Sequence, residues 1–551
     1  MNVKKYKINR TQTIGSPDAE TDELLFDVFV KNDVLKEVFD TKSQKSILLG
    51  RTGSGKSAII QYLERKCDDI IRIEPEAMSL QFLSNSTILR YFKTLEVNMN
   101  LFFKVLWKHV FIVELLKLYF KEDYDKGKKE IWISRLRDSL FRKKGKSDPN
   151  EEKALKYLEN WTDKFWQDTE YRIRELESII SDKFKTEFGI KNEIFKTQIE
   201  LENSLQDKSV TEVKHKAESI IHEVQTKELL QIFAIMKNDL FTDHQRKVYI
   251  VIDDLDKDWI DSDFRYDLIG AMVEVIKELR QFKGVKIVIS LRENLTELLK
   301  LGSKHEGGQR EKFKPLYADM KCSEEELTQF VSKRLKSISE NQLDVSNAFY
   351  NVRRTGETGI GYLLNRTYMR PRDVISFINH AIENANNKSQ FSKDIMHKAE
   401  APYSIDRFQA LEDEWRENYG EIYPICSFLN GITNGFKLKS LNEDHFTEIY
   451  CEENINQRFK GVLFEIINSW KTDKIKFAVF IKRILFILYH IGIIGIKKGP
   501  TFSTAFFYDD IMITKEDISN NNKFYVHPSL FSYFKINTME QLPEHYLENK
   551  R

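Results

Sequence analysis

The run Ser46-Ile-Leu-Leu49 leads into Gly50-Arg-Thr-Gly-Ser-Gly-Lys-Ser57, and a helical pattern follows from Ala58 to Arg65. This is the spacing G-x-x-x-x-G-K-[ST] between a strand and a helix. Glycines there let backbone N–H groups curl around a phosphate chain, and the helix N-terminus adds partial positive charge. Lys56 is expected to reach the β- and γ-phosphates, and Ser57 to ligate Mg2+ through its hydroxyl. The expected nucleotide contacts are Gly50, Arg51, Thr52, Gly53, Ser54, Gly55, Lys56, Ser57 and Ala58.

A second run, Val248-Tyr-Ile-Val-Ile252, ends in Asp253 and Asp254. An apolar strand delivering two carboxylates suits a metal-assisted hydrolysis. Asp253 would hold Mg2+ through its water shell, and Asp254 would position an attacking water. Asp256 is a nearby alternative carboxylate. Ser290-Leu-Arg292 ends another apolar run, Val285–Ser290, where polar groups can sense a γ-phosphate; the plainer reading pairs Arg292 with Glu293 or another surface acid. In Met369-Arg-Pro-Arg-Asp-Val374, Pro371 fits a first helical turn and aims Arg372 toward the nucleotide, with helix-end ion pairing as the alternative.

The elements that must position these groups are short β-branched runs separated by helical patterns, which predict a parallel sheet covered by helices. The runs are Ser46–Leu49, Ile70–Ile73, Val248–Ile252 and Val285–Ser290, with Leu316–Ala318 a weaker fifth. The interval from Arg90 to Arg246 is too long for an ordinary crossover and reads as a mostly helical insertion. Its helices are expected over 101–120, 151–185 and 218–240, with 188–201 ambiguous and its tryptophans, such as Trp107, Trp132, Trp161 and Trp166, in a core. After a glycine-containing loop at 302–309, Ser323 with Glu326 forms a capping box that opens a helical region. At the end, a helix over Phe477–Ile493, a turn with Gly492 and Gly495, and strand-like runs Thr504–Tyr508 and Lys523–Val526 outline a winged helix.

The chain has 551 residues with Lys plus Arg 86 and Asp plus Glu 85, which excludes a globally polybasic nucleic-acid coat. Two local basic stretches stand out, 126–146 and 471–498, each with a solvated face as the plain alternative. Cys67, Cys322, Cys426 and Cys451 are far apart, so a disulfide scaffold or a cysteine zinc site is not expected. No histidine pair has metal-ligand spacing, and His527 is expected to pack rather than catalyse. The apolar stretch 484–496 is too short for a ~20-residue span. No signal-peptide core is seen at the N-terminus, so a cytoplasmic location is expected.

Together these residues resemble a family of bacterial P-loop ATPases of AAA+/STAND type, related in layout to the Orc/Cdc6 initiators. The resemblance rests on Ile14–Glu20, Ile47–Ala58, Tyr403–Asp406 with Leu411–Trp415, and Phe524–Leu530. It implies an α/β P-loop NTPase: a parallel sheet with a large helical insertion, a helical lid and a C-terminal winged-helix-like domain. The expected boundaries are 1–320 for the core with 90–246 inserted, 321–400 for the lid, 401–470 for a helical linker and 471–551 for the tail. The implied function is a Mg2+-dependent ATPase switch, of a kind often found in bacterial defence or mobile-element contexts. Expected partners are ATP, further copies of the chain, DNA through the tail and a protein effector through the insertion. The alternatives are a nucleic-acid-binding module whose affinity ATP sets, and a nucleotide-gated scaffold. Asp254 stands where vigorous AAA+ enzymes carry Glu. Being one methylene shorter, it predicts slow turnover.

Overall fold

The protein was analysed as a computed structural model, which describes residues 6–75, 99–120, 148–162, 226–255, 262–295, 313–352, 356–509 and 513–537, with scattered positions between them. The chain forms two compact units. One comprises Asn32–Gly50 and Ile59–Met320; the other comprises Met1–Lys31, Arg51–Ala58 and Lys321–Arg551.

The first unit is built on β1 (Ile47–Gly50), β2 (Ile70–Ile73), β3 (Val248–Ile252), β4 (Val285–Arg292) and β5 (Tyr317–Asp319). They form one sheet in the order β2-β3-β4-β1-β5, and every neighbouring pair is parallel. All five residues of β3 are buried, as expected of a central strand made from Val, Ile and Tyr. The register pairs Ile252 with Ile289 and Gly50 with Arg292, so the carboxyl ends of β3, β4 and β1 share one edge. α1 (Asp33–Phe39) precedes β1, and α2 (Lys56–Lys66) begins within the loop after it. Lys286 Nζ donates to the carbonyls of Glu37, Asp40 and Ser43, which caps the C-terminal end of α1 from β4.

Within the insertion, α3 (Asn100–Phe120) is apolar nearly all round and is correspondingly buried. It packs on α6 (Ser262–Leu279), where Trp107 donates its indole N–H to the Leu268 carbonyl at 2.8 Å. α4 (Pro149–Trp161) is capped by Asp148, and α5 (Thr226–Ile235) follows. Trp161 is half-buried and its indole reaches Glu228. The helix expected over 151–185 is described as an element to Trp161 only, and that over 218–240 from Thr226. The ambiguous 188–201, the loop 302–309, the basic stretch 126–146, Trp132, Trp166 and Asp256 lie outside the described residues.

The second unit carries α7 (Glu324–Ile338), which opens on the expected Ser323–Glu326 capping box. α8 (Pro371–Asn384) has Pro371 at its first turn. α9 (Lys393–Tyr419) runs unbroken across position 400, with Pro402 inside it. Further helices follow, among them α10 (Gly461–Lys471) and α11 (Phe477–Ile491). Gly492 ends α11 in the left-handed region at φ 103°, and a Cβ there would lie 2.4 Å from the Phe507 ring.

The tail differs from its outline in two respects. The turn is Gly492 alone, and Gly495 lies inside a strand. That strand, β7 (Ile494–Lys497), pairs antiparallel with β8 (Lys523–Val526), which also pairs with the short β6 (Phe436–Lys437). Of the strand expected over 504–508, only Ala505 forms a bridge, to Ile496. The physical reason is Asp509, whose carboxylate accepts the Phe506 N–H at 2.8 Å while its own N–H returns to the Phe506 carbonyl. That closed turn removes 506–509 from extended pairing.

Candidate functional site

β3 delivers Asp253 and Asp254 to the sheet edge. Asp253 is 4% exposed. Its Oδ1 accepts the Ser290 hydroxyl and, at 3.0 Å, the Asp254 N–H. Its Oδ2 is buried, lies 4.0 Å from Arg72 Nη2, and has no hydrogen-bond partner among the described residues. A buried carboxylate oxygen without a donor is unfavourable, and a divalent cation would relieve it. Asp254 sits at φ 59°, a left-handed backbone that costs a non-glycine residue roughly 1–2 kcal/mol. Held there, its carboxylate lies 3.8 Å from Arg72 Nη2. Arg72 also lies 4.0 Å from Asp253 and 3.5 Å from Glu64. Burial pushes the Glu64 carboxyl up, with Asp253 adding to the rise and Arg72 opposing it. One guanidinium thus faces three carboxylates at the end of β3.

Residues Arg51–Ala58, which follow β1, belong to the second unit. Gly53 and Gly55 take φ of 80° and 95°, which glycine alone adopts without cost. A Cβ on Gly53 would lie 2.6 Å from Arg372 Cβ. Lys56 is 8% exposed, and its ammonium donates to the Arg51 carbonyl at 2.9 Å. The Thr52 and Ser54 hydroxyl oxygens are buried without a hydrogen-bond partner among the described residues.

The loop is gripped by residues much later in the chain. Arg51 donates to the Ile491 and His490 carbonyls at 2.8 and 2.5 Å, where the end of α11 carries partial negative charge. Its guanidinium lies 3.2 Å from the Phe507 ring centre and 5.2 Å from that of Trp415. Arg370 Nη1 donates to the Thr52 carbonyl at 2.7 Å and to Glu414 at 3.3 Å. The Arg372 backbone N–H donates to the Gly53 carbonyl at 3.3 Å. The Arg372 side chain pairs with Asp18 at 2.5 Å and donates to the Pro17 carbonyl at 3.2 Å.

Glu414 and Asp373 carry the compensating charge. Asp373 accepts from Arg407, and both are buried. Burial alone would raise the Glu414 carboxyl, but Arg370, Arg51 and Arg407 outweigh it and hold it at about 2. That lies below its ordinary 4.5, so the folded chain resists this proton more than the unfolded chain does. The stabilisation is therefore full above pH 4.5 and is lost as pH falls toward 2, roughly 3 kcal/mol in all. Glu414→Gln is expected to lower Tm at pH 7 and to flatten the acid limb of stability over that window. Thermal unfolding against pH checks this, and parallel acid limbs in the two proteins would contradict it.

Of the residues expected from sequence, Asp253, Asp254, Ser290 and Arg292 share the sheet edge. Arg51 to Ala58 and Arg372 lie together in the other unit. His527 is fully buried, stacked 4.2 Å from Tyr368, and bonded to Ser529 and Tyr508. Two lysines of the basic stretch 471–498 have partners within the chain, Lys471 with the Glu452 carbonyl and Lys498 with Asp517. Sequence reasoning missed Arg72, Arg370 and Glu414. Arg72 could have been found as a lone charge in Ile-Ile-Arg-Ile. Tyr403, Arg407 and Glu414 repeat at helical spacing on one face of α9.

No described helix is long and apolar enough to cross a membrane. Residues 325–412 match the family described as the FunZ-associated C-terminal helical domain, a stretch spanning α7, α8 and most of α9. No curated protein matches the chain. Among solved structures, the Walker-type ATPase of Pyrococcus abyssi is similar at 12% identity with a TM-score of 0.35, covering 93% of this chain and 97% of that one. So loose a likeness carries neither a fold nor an activity.

Proposed function

We propose that the chain is a Mg2+-dependent ATP-binding and ATP-hydrolysing switch of AAA+/STAND type. The observation that carries this is the buried Asp253 Oδ2, without a hydrogen-bond donor among the described residues, at the sheet edge where β1 also ends. Ser57 and Asp253 are the residues that would hold Mg2+, which when bound neutralises charge on the β- and γ-phosphates. Lys56 exchanges the Arg51 carbonyl for phosphate oxygen. Asp254 accepts a hydrogen bond from water and orients it toward the γ-phosphorus. Water adds there, the bond to the ADP oxygen breaks, and ADP and phosphate leave.

Arg72 lies beside Asp254 and competes with water for its carboxylate. Arg292 and Arg372 are the candidates for sensing the γ-phosphate. Arg372 must first release Asp18. The left-handed backbone and short side chain of Asp254 favour slow turnover. An arginine supplied by a neighbouring copy would raise it, because a cation stabilises charge developing on the γ-phosphate. Binding of DNA through 471–551 and of an effector through 90–246 belongs to the same proposal.

The test is phosphate release from ATP with and without Mg2+, across a wide protein dilution series. Slow, Mg2+-dependent release that rises more than linearly with protein concentration is expected. No Mg2+-dependent release at any concentration would end the hydrolytic reading, and constant turnover per chain would exclude the neighbour's arginine.

A further inference from the structure

Resting on the nucleotide reading above, we infer that Arg370, braced by Glu414, is a positioning residue that locks the central peptide of the phosphate-loop turn. Residues Arg51 to Ser54 form a turn closed by the Ser54 N–H on the Arg51 carbonyl at 3.2 Å. Gly53 is its third residue, and φ of 80° is the value that a type II turn takes there. Type I and type II turns differ in the orientation of the central peptide, here Thr52–Gly53. That flip is the soft coordinate of the loop, because the closing hydrogen bond survives it.

Arg370 acts on that peptide. Its Nη1 donates to the Thr52 carbonyl at 2.7 Å. The peptide is planar and trans, so a carbonyl drawn toward Arg370 turns the Gly53 N–H the opposite way. A phosphate cradle works through donors, so its carbonyls must be committed elsewhere. Glu414 completes the lock by accepting the Thr52 N–H at 3.4 Å and the Arg370 guanidinium at 3.3 Å. One ion pair thus holds both backbone groups of a single loop residue, as a strand partner would. Arg370 and Glu414 are 4% and 5% exposed, so water does not compete for these bonds. Every bond of the lock lies within the chain, so its value is preorganisation: the loop does not have to be ordered by the ligand.

A lock on the free loop acts on binding more than on the chemical step. Arg370→Met is expected to weaken MgATP binding about tenfold, with kcat at saturation changed less than about twofold. Arg370→Lys keeps the charge without the fork and should fall between. Because Arg370→Met strands the Glu414 charge, the charge-balanced Arg370→Met/Glu414→Met chain guards against simple misfolding. Hydrogen exchange on the nucleotide-free chain separates positioning from general destabilisation. Faster exchange confined to residues 50–58 supports the lock. Unchanged exchange there, or a rise spread through α8 and α9, overturns it, as does MgATP affinity in the charge-balanced chain equal to wild type. If the wild-type chain binds no MgATP, the nucleotide reading falls, and the exchange result still decides whether the turn is locked.

Discussion

Lys56→Ala is expected to weaken MgATP binding by about a hundredfold or more. A hydrogen bond to a charged group contributes up to about 3 kcal/mol, and about 1.4 kcal/mol is a factor of ten in affinity. The ammonium is nearly buried and already folded back on the Arg51 carbonyl, so it needs little reorganisation to meet phosphate. Alanine removes that donor and leaves the Arg51 carbonyl with only the Ser54 N–H among the bonds described for it. The fold should survive, since no core side chain is touched. Calorimetric titration of MgATP checks affinity, and thermal unfolding checks the fold. Affinity within about threefold of wild type, in a folded variant, would remove the phosphate loop from the account.

Asp254→Asn should act on the opposite quantity. Asp253 and the loop stay intact, so MgATP binding is expected within a few-fold of wild type. Turnover is expected to fall by about 10²–10⁴, the usual contribution of a positioned proton acceptor. Asparagine preserves size and tolerates the left-handed backbone at φ 59°, so the fold is a poor explanation for any loss. The variant should retain ATP through gel filtration where wild type releases ADP. Wild-type turnover in Asp254→Asn would pass the role to another carboxylate. Glu64 is the first alternative, because burial raises its carboxyl and it shares Arg72 with Asp254.

Much of the sheet was legible because its inner strands β3 and β4 are buried on both faces. Val248–Ile252 and Val285–Ser290 are runs dominated by Val and Ile with no competing helical period. The G-x-x-x-x-G-K-[ST] loop stood out because that pattern sets glycine, lysine and a hydroxyl at fixed spacing. What hid was the grip on that loop. The spacing could show that Arg51 lies between Gly50 and Thr52, but not that α11 ends where its guanidinium lies. Arg370 precedes Pro371, which drew attention to Arg372 on the helix itself, while the residue before the helix reaches the Thr52 carbonyl. The strand expected at 504–508 failed for a local reason, since Asp509 closes a turn that β-propensity does not register.

The central claim is a MgATP site in which Asp253 serves the cation. Calorimetric titration of ATP into wild type and Asp253→Asn, each with Mg2+ and with the metal chelated, tests it most directly. The account predicts one ATP per chain, tighter binding with Mg2+ in wild type, and loss of that Mg2+-dependent gain in Asp253→Asn. Equal gains from Mg2+ in both proteins, or none in wild type, would contradict it.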